Sequence, residues 1–326
     1  MEIKLHNKKT KDKISMRDAF GLALLSNAEN NKKIYAVSAD TENSMCITQM
    51  AHKYPDRVLN VGIGEQNMAL AAVGLAACGA KVFIASYSTF TSMRILEQLR
   101  TYIAHSNLDV KIIAGMGGLS GSMEGYTHQG IEEVSIIRSI PNMKLIVAAD
   151  VCSTEEILNV ISECDDPVYV SIGRFEGEKI FDSYRFEMGK GNVLRYHDKS
   201  DVSILCNGPI LSRVLQVERE LSDRGYSASV IEIPCVKPLD EKLVIEEAKR
   251  VGKIVVIEEG TVIGGLGGAI CECVSMDYPI PVLRVGVNDC FTGAGPYDEL
   301  LDEVGFSVEK MTQKIVEFVK RKAYNE

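Results

Sequence analysis

Short apolar runs alternate with helical patterns along the whole chain, and that alternation limits the fold more than any other feature of the sequence. In the first half the runs are "KIYAVSAD" (33–40), "RVLNVG" (57–62), "AKVFIAS" (80–86), "VKIIAGM" (110–116) and "MKLIVAAD" (143–150). Amphipathic or alanine-rich stretches at 15–30, 65–78, 90–106, 130–139 and 153–163 separate them. Strands and helices alternating at this spacing predict an α/β fold: a mostly parallel sheet covered on both faces, because each crossover helix packs back on the sheet it left.

After "DPVYVSIGRFEGEKIF" the pattern lapses into the polar "DSYRFEMGKGNVLRYHDKSD". It restarts with "VSILCNG" (202–208), "ASVIEIP" (228–234), "KIVVIEEG" (253–260) and "PVLRVGV" (281–287), with helical stretches at 210–224, 239–250 and 266–276. We therefore expect a first domain at 10–175, a linker at 176–198 and a smaller α/β domain at 199–326. A chain of 326 residues suits this division, since one core rarely grows past roughly 250–300 residues. The closing "YDELLDEVGFSVEKMTQKIVEFVKRKA" reads as a pair of amphipathic helices.

Charge and composition exclude some partners. A net charge of −9 lacks the basic surface that binding phosphate backbones requires, so no nucleic-acid partner is expected. The polar start "MEIKLHNKKTKDK" has no apolar signal core, and no later run reaches the roughly 18 apolar residues of a membrane span. The expectation is a cytoplasmic protein without a membrane partner. Nine cysteines scattered through apolar segments read as buried free thiols in a reducing compartment, and Cys271 and Cys273, one residue apart, match neither a redox pair nor a zinc framework.

Four segments can carry chemistry. In "GIGEQN" (62–67) two glycines turn the chain into a helix with Glu65 at its start, where the helix dipole alone would favour an acid. "ASYSTFTSMRILEQLR" (85–100) ends a strand with Tyr87 and Phe90, at the strand end where open α/β sheets bind ligands or pack aromatics into the rim. The glycine-rich "GMGGLSGSMEGYTHQGIEEVSIIRSIPNM" (115–143) reads as a flexible loop holding Glu124, His128 and Gln129; His128 suits proton transfer or a structural role. It fits neither a P-loop nor a dinucleotide fingerprint. In "VIEEGTVIGGLGGAICE" (256–272) the glycines signal close helix–strand packing rather than a nucleotide site.

In this order, "MRDAF", "SAD", "GIGEQN", "YSTF", "GYTHQG…IRSIPNM", "GR", "KPLD" and "GGLGGA" make nearly the whole chain resemble the carboxyl-terminal half of the transketolase family, which includes 1-deoxyxylulose-5-phosphate synthase. The resemblance implies a thiamin-diphosphate-binding fold in the pyrimidine-binding domain and the family's α/β carboxyl-terminal domain after it. It implies transfer of a two-carbon ketol unit between a ketose and an aldehyde acceptor. By resemblance Glu65 hydrogen-bonds N1′ of the thiamine diphosphate aminopyrimidine, favouring the tautomer that takes the thiazolium proton. Phe90 stacks on that ring, Tyr87 and Asp40 help build the cofactor site, and His128 lies at the substrate. Arg17, Ser44 and Arg174 match a phosphate site, and Glu124 an acidic substrate contact.

Departures from the family pattern bear on substrate and assembly. Met116 stands where sugar-phosphate transketolases have a phosphate-contacting histidine, and Glu124 adds a methylene to the usual aspartate. The synthase's substrate-contacting arginine is replaced at Gly117 or a near neighbour. No "GDG" followed by asparagine occurs, the motif that holds Mg²⁺ and the diphosphate in the family. The resemblance therefore implies a partner, an amino-terminal-half subunit carrying that motif and the Mg²⁺ ligands, in a two-plus-two heterotetramer. The alternatives are a deoxyxylulose-phosphate-synthase-like or 2-oxo acid decarboxylase beta subunit and, from another class, a non-catalytic regulatory subunit.

Overall fold

The computed structural model describes residues 2–8 and 10–321, so the end of the segment expected at 199–326 lies outside the described residues. The strands are β1 (Lys4–Leu5), β2 (Ile34–Ser38), β3 (Val58–Asn60), β4 (Lys81–Tyr87), β5 (Val110–Gly115), β6 (Lys144–Val147) and β7 (Val168–Ser171). They continue with β8 (Phe181–Ser183), β9 (Asn192–Arg195), β10 (Val202–Cys206), β11 (Ala228–Glu232), β12 (Cys235–Lys237), β13 (Ile254–Thr261) and β14 (Val282–Val287). A seven-stranded sheet has the order β12-β6-β7-β5-β4-β2-β3, and a five-stranded sheet the order β14-β13-β10-β11-β9. Within these two sheets all pairs are parallel except β12 with β6 and β9 with β11. The expected parallel sheets are present, and each is edged by one antiparallel strand.

Strands β4, β5 and β7 are apolar throughout or nearly so and buried on both faces, as parallel strands between helices must be. Helix Met16–Asn30 covers one face with Phe20 and Leu24, and helix Glu65–Ala77 the other with Met68, Ala69 and Ala72. A capping box starts the first helix: Ser15 Oγ accepts from Asp18 N–H at 3.2 Å, and Asp18 Oδ2 accepts from Ser15 N–H at 2.9 Å. Such a cap is worth about 1 kcal/mol, and it fixes Arg17 in the first turn.

The segment 176–198 is more ordered than its polar composition suggested. Strand β8 pairs with β1, and β9 joins the second sheet. Strand β12 leaves the second unit and pairs with β6, at the edge of the first sheet. The two units thus share a sheet as well as a packing face. Asp150 ties the same region together: it caps helix Val151–Glu163 through Ser153 and accepts the N–H groups of Ile180 and Phe181. Burial pushes its carboxyl up to about 6.

The cysteine reading is partly corrected. All nine are free, but only Cys206 and Cys235 are buried, while Cys78 and Cys290 are exposed. Among the described residues no helix is long and apolar enough to cross a membrane.

Candidate active site

The carboxyl ends of the neighbouring strands β3, β2, β4 and β5 lie side by side, and every segment singled out in the first half of the sequence follows one of them. Ligands bind at this edge in open α/β sheets because the loops there diverge.

Helix Glu65–Ala77 begins at Glu65 itself, after Gly62 at φ +74° and an N-cap at Gly64. The Glu65 side chain is buried, yet it pairs with a half-exposed group: Arg94 Nη1 donates to Oε1 at 2.8 Å. The Arg94 guanidinium lies 3.7 Å from the centroid of the Phe90 ring. Phe90 also meets Tyr87 at 5.5 Å and His128 at 5.3 Å between centroids, and Tyr87 meets His128 at 5.6 Å. Glu65, Phe90, Tyr87 and His128 are therefore one cluster. Regular helical spacing over 90–106 does not place Arg94 at the site. Phe90–Arg94 is instead a π-helical turn, a departure common at functional sites, and it brings Arg94 over Phe90.

His128 stands in a short 3₁₀ turn, Tyr126–His128, and its Nδ1 is 2.9 Å from Thr127 Oγ1. That bond leaves Nε2 as the ring nitrogen for a ligand. Asp40 does not join the cluster through a hydrogen bond or ion pair among the described residues. It follows β2 at φ +63°, exposed, with its N–H held by Asn60 Oδ1 at 3.2 Å.

A second group forms at the other end of the glycine-rich loop. Arg17 donates to the Ser44 carbonyl at 2.6 Å and to the Arg174 carbonyl at 3.1 Å, and Arg174 forms an ion pair with Glu124. The four residues named as substrate contacts are thus together, and the acid already faces one of the two cations. Buried Met116 lies between the groups: its carbonyl accepts from Ser88 Oγ at 2.9 Å, and its φ is +61°.

Several glycines of this loop stand where a side chain would collide with its surroundings. A Cβ at Gly117 would lie 2.1 Å from Ser171 Oγ, at Gly118 2.3 Å from the Glu259 carbonyl, and at Gly130 2.0 Å from Ser88 Oγ. They permit close packing around two acids that sequence reading passed over. Glu133 accepts from Ser171 Oγ at 2.6 Å, Tyr169 OH at 2.9 Å and Gly118 N–H at 3.2 Å. Glu259, from β13, accepts from Leu119 N–H at 2.9 Å and from Tyr297 OH. Burial pushes both carboxyls up to about 7 against the pull of these donors. The "GGLGGA" stretch packs as expected: Glu258 accepts the N–H groups of Leu266 and Gly267 at 2.6 and 2.8 Å, where a Cβ at Gly265 would collide with it. Among the described residues no group of three His, Cys, Asp or Glu side chains is placed to hold a metal ion.

Comparison with known proteins bears on this geometry. The family model described as transketolase, pyrimidine binding domain, matches residues 12–178, and the transketolase C-terminal domain matches residues 189–311. A transketolase C-terminal section of Methanocaldococcus jannaschii is 34% identical over 94% of this chain and 96% of its own length. The 6-deoxy-6-sulfo-D-fructose transketolase subunit of a Clostridium species is 33% identical over 95% and 96%. A 1-deoxy-D-xylulose-5-phosphate synthase of Desulfotalea psychrophila is 32% identical over 92% of this chain but only 47% of its own length. Among solved structures, a split gene transketolase described as an inactive beta4 tetramer superposes with a TM-score of 0.85 at 34% identity, covering 94% of this chain and 99% of that one.

Proposed function

The chain belongs to the transketolase family, and from that premise we propose that it is the pyrimidine-binding subunit of a split, thiamine-diphosphate-dependent transketolase. Its reaction moves a two-carbon ketol unit from a ketose to an aldehyde acceptor in the cytoplasm. Diphosphate and Mg²⁺ ligands come from an amino-terminal-half subunit with a GDG…N motif, in a two-plus-two heterotetramer. Relatives that span the same length and are named as sections or subunits support the split.

The observation that carries the reading is the stack of Arg94 between Phe90 and Glu65. A flat, N–H-bearing cation lies 3.7 Å from an aromatic ring centroid and donates to a buried carboxylate at 2.8 Å. Those are the two contacts an aminopyrimidine ring would make, so the residues fit that half of the cofactor. When bound, the cofactor supplies the electron sink for breaking and forming carbon–carbon bonds beside a carbonyl. Glu65 would hold a proton toward the pyrimidine through a carboxyl oxygen, while Phe90 and Tyr87 would hold the ring in place and exclude water. Arg94, half exposed, turns out to solvent to admit the ring. Asp40 lines the rim of the site. His128 Nε2 exchanges a proton with the substrate's oxygen, and Arg17, Ser44, Arg174 and Glu124 take its far end.

The test is native mass spectrometry of the tagged chain from its own cells with thiamine diphosphate and Mg²⁺, followed by assay of the recovered complex. A heteromer that retains the cofactor and exchanges ketol units between sugars is the expected result. Loss of carbon dioxide from a 2-oxo acid would instead favour the synthase-like or decarboxylase reading, which the synthase relatives keep in play. A homomer without cofactor would overturn catalysis in favour of a regulatory subunit.

A further inference from the structure

His128 ends the second of two short turns, Ser122–Glu124 and Tyr126–His128, with no long element of its own to hold it. The hold comes from the other domain. Gln129, the next residue, is 3% exposed, and both ends of its amide are bonded across the interface. Its Nε2 donates to the Gly293 carbonyl at 2.9 Å, and its Oε1 accepts from the hydroxyl of buried Thr292. Further contacts join the same two segments. Gly295 N–H donates to the Ser122 carbonyl at 3.3 Å, and the Tyr126 ring meets Phe291 at 5.8 Å between centroids. Ala294 Cβ lies 3.4 Å from where a Cβ on Gly125 would be.

We infer that residues 291–295 form a clasp on the His128 loop, and that Gln129 and Thr292 are positioning residues through which the carboxyl-terminal domain sets the direction of the His128 ring. An amide bonded at both ends has one orientation, and the backbone it shares with His128 inherits that restraint. The clasp matters for rate rather than for substrate affinity, because a proton-transferring ring displaced by about 1 Å loses on the order of a hundredfold in rate. This inference rests on the role proposed for His128.

Thr292→Val keeps the shape of the side chain and removes the hydroxyl, and Thr292→Ser restores it. In the complex with the partner subunit, Thr292→Val is expected to lower kcat about tenfold with KM within about twofold of wild type, and Thr292→Ser to recover most of it. Hydrogen exchange of amides 121–130 in the intact chain should accelerate in Thr292→Val and return to normal in Thr292→Ser. Gln129→Met gives the same readouts from the other side of the interface. Unchanged kcat and unchanged exchange in Thr292→Val, or failure of Thr292→Ser to restore them, would overturn the clasp. Exchange does not depend on the reaction: faster exchange in a complex that transfers no ketol unit would leave the clasp standing and remove the catalytic reading.

Discussion

Glu65 and Glu133 are both buried acids at the first turns of helices in the first domain, and they belong to walls of opposite character. Around Glu65 the surface is open: the carboxylate pairs with a half-exposed arginine, and Ile63 and Leu70 nearby in sequence, like Met93 beside Arg94, expose apolar side chains. Glu133 is buried and bonded within the chain: a serine, a tyrosine and a backbone N–H satisfy it, and Glu258–Gly260 of the other domain line the same small cavity. The chain finishes the second wall by itself. The first wall leaves apolar and charged groups exposed, which is where the proposed cofactor and partner would have room to bind.

That contrast gives its largest effect when both acids are changed to their isosteric amides. Glu65→Gln should lower ketol transfer by the assembled enzyme at least about a hundredfold, the usual loss when a positioned proton-transferring group is removed. Its stability should move by less than about 1 kcal/mol, because the lost ion pair has a solvent-exposed partner. Activity above about a hundredth of wild type would remove Glu65 from the proton relay.

Closing the finished wall too tightly should cost stability next. Gly118 has φ +56°, and a Cβ there would sit 2.3 Å from the Glu259 carbonyl. Gly118→Ala therefore combines backbone strain with overpacking, for a loss of roughly 2–4 kcal/mol in chemical denaturation. A variant as stable as wild type would show that this wall yields more than its contacts imply.

The acids of the same wall predict a pH dependence with a definite sign. Burial raises Glu133 from 4.5 to about 7, so the folded state binds its proton more tightly than the unfolded state does. That contribution to stability is complete below about pH 4.5 and is lost as pH rises through about 7. Such a shift corresponds to about 3 kcal/mol as an order of magnitude. Glu133→Gln should flatten the fall in stability between about pH 5 and 8, and it should also relieve Glu259, whose carboxyl Glu133 pushes up. An unchanged slope would mean that Glu133 is ionised throughout.

The two walls also differed in how far the sequence revealed them. Phe90, Tyr87 and His128 follow strands β4 and β5, whose apolar runs are long enough to read, and Glu65 follows the glycine turn after short β3, so their gathering followed from topology and from the family resemblance. The finished wall depends on contacts without a local signal. Gln129 meets Thr292 across 163 residues, and Glu259 reaches Leu119 from another domain. Strand β7 is four residues between a proline and a glycine, and β12 is three, too short for any periodicity to emerge. Their pairing is decided by the sheet they join. Arg94 was hidden for another reason: helical spacing assumes a regular turn, and the π turn at Phe90 breaks that assumption.

The smallest effect should come from the open wall, and its smallness is the point. Ile63 is 82% exposed, directly before Gly64 and Glu65, and adding a Cβ at Gly62 or Gly64 meets little or nothing, so the segment carries no packing of its own. Ile63→Ser should leave thermal unfolding of the isolated chain within about 0.5 kcal/mol of wild type, as for any exposed position without special contacts. If this surface is where the partner subunit closes the site, the same change should weaken association of the two subunits measurably in analytical ultracentrifugation. A loss of stability in the isolated chain would show that the segment is already packed. An association constant equal to wild type would move the partner's contact away from the Glu65 wall, and with it the argument that this wall is the unfinished one.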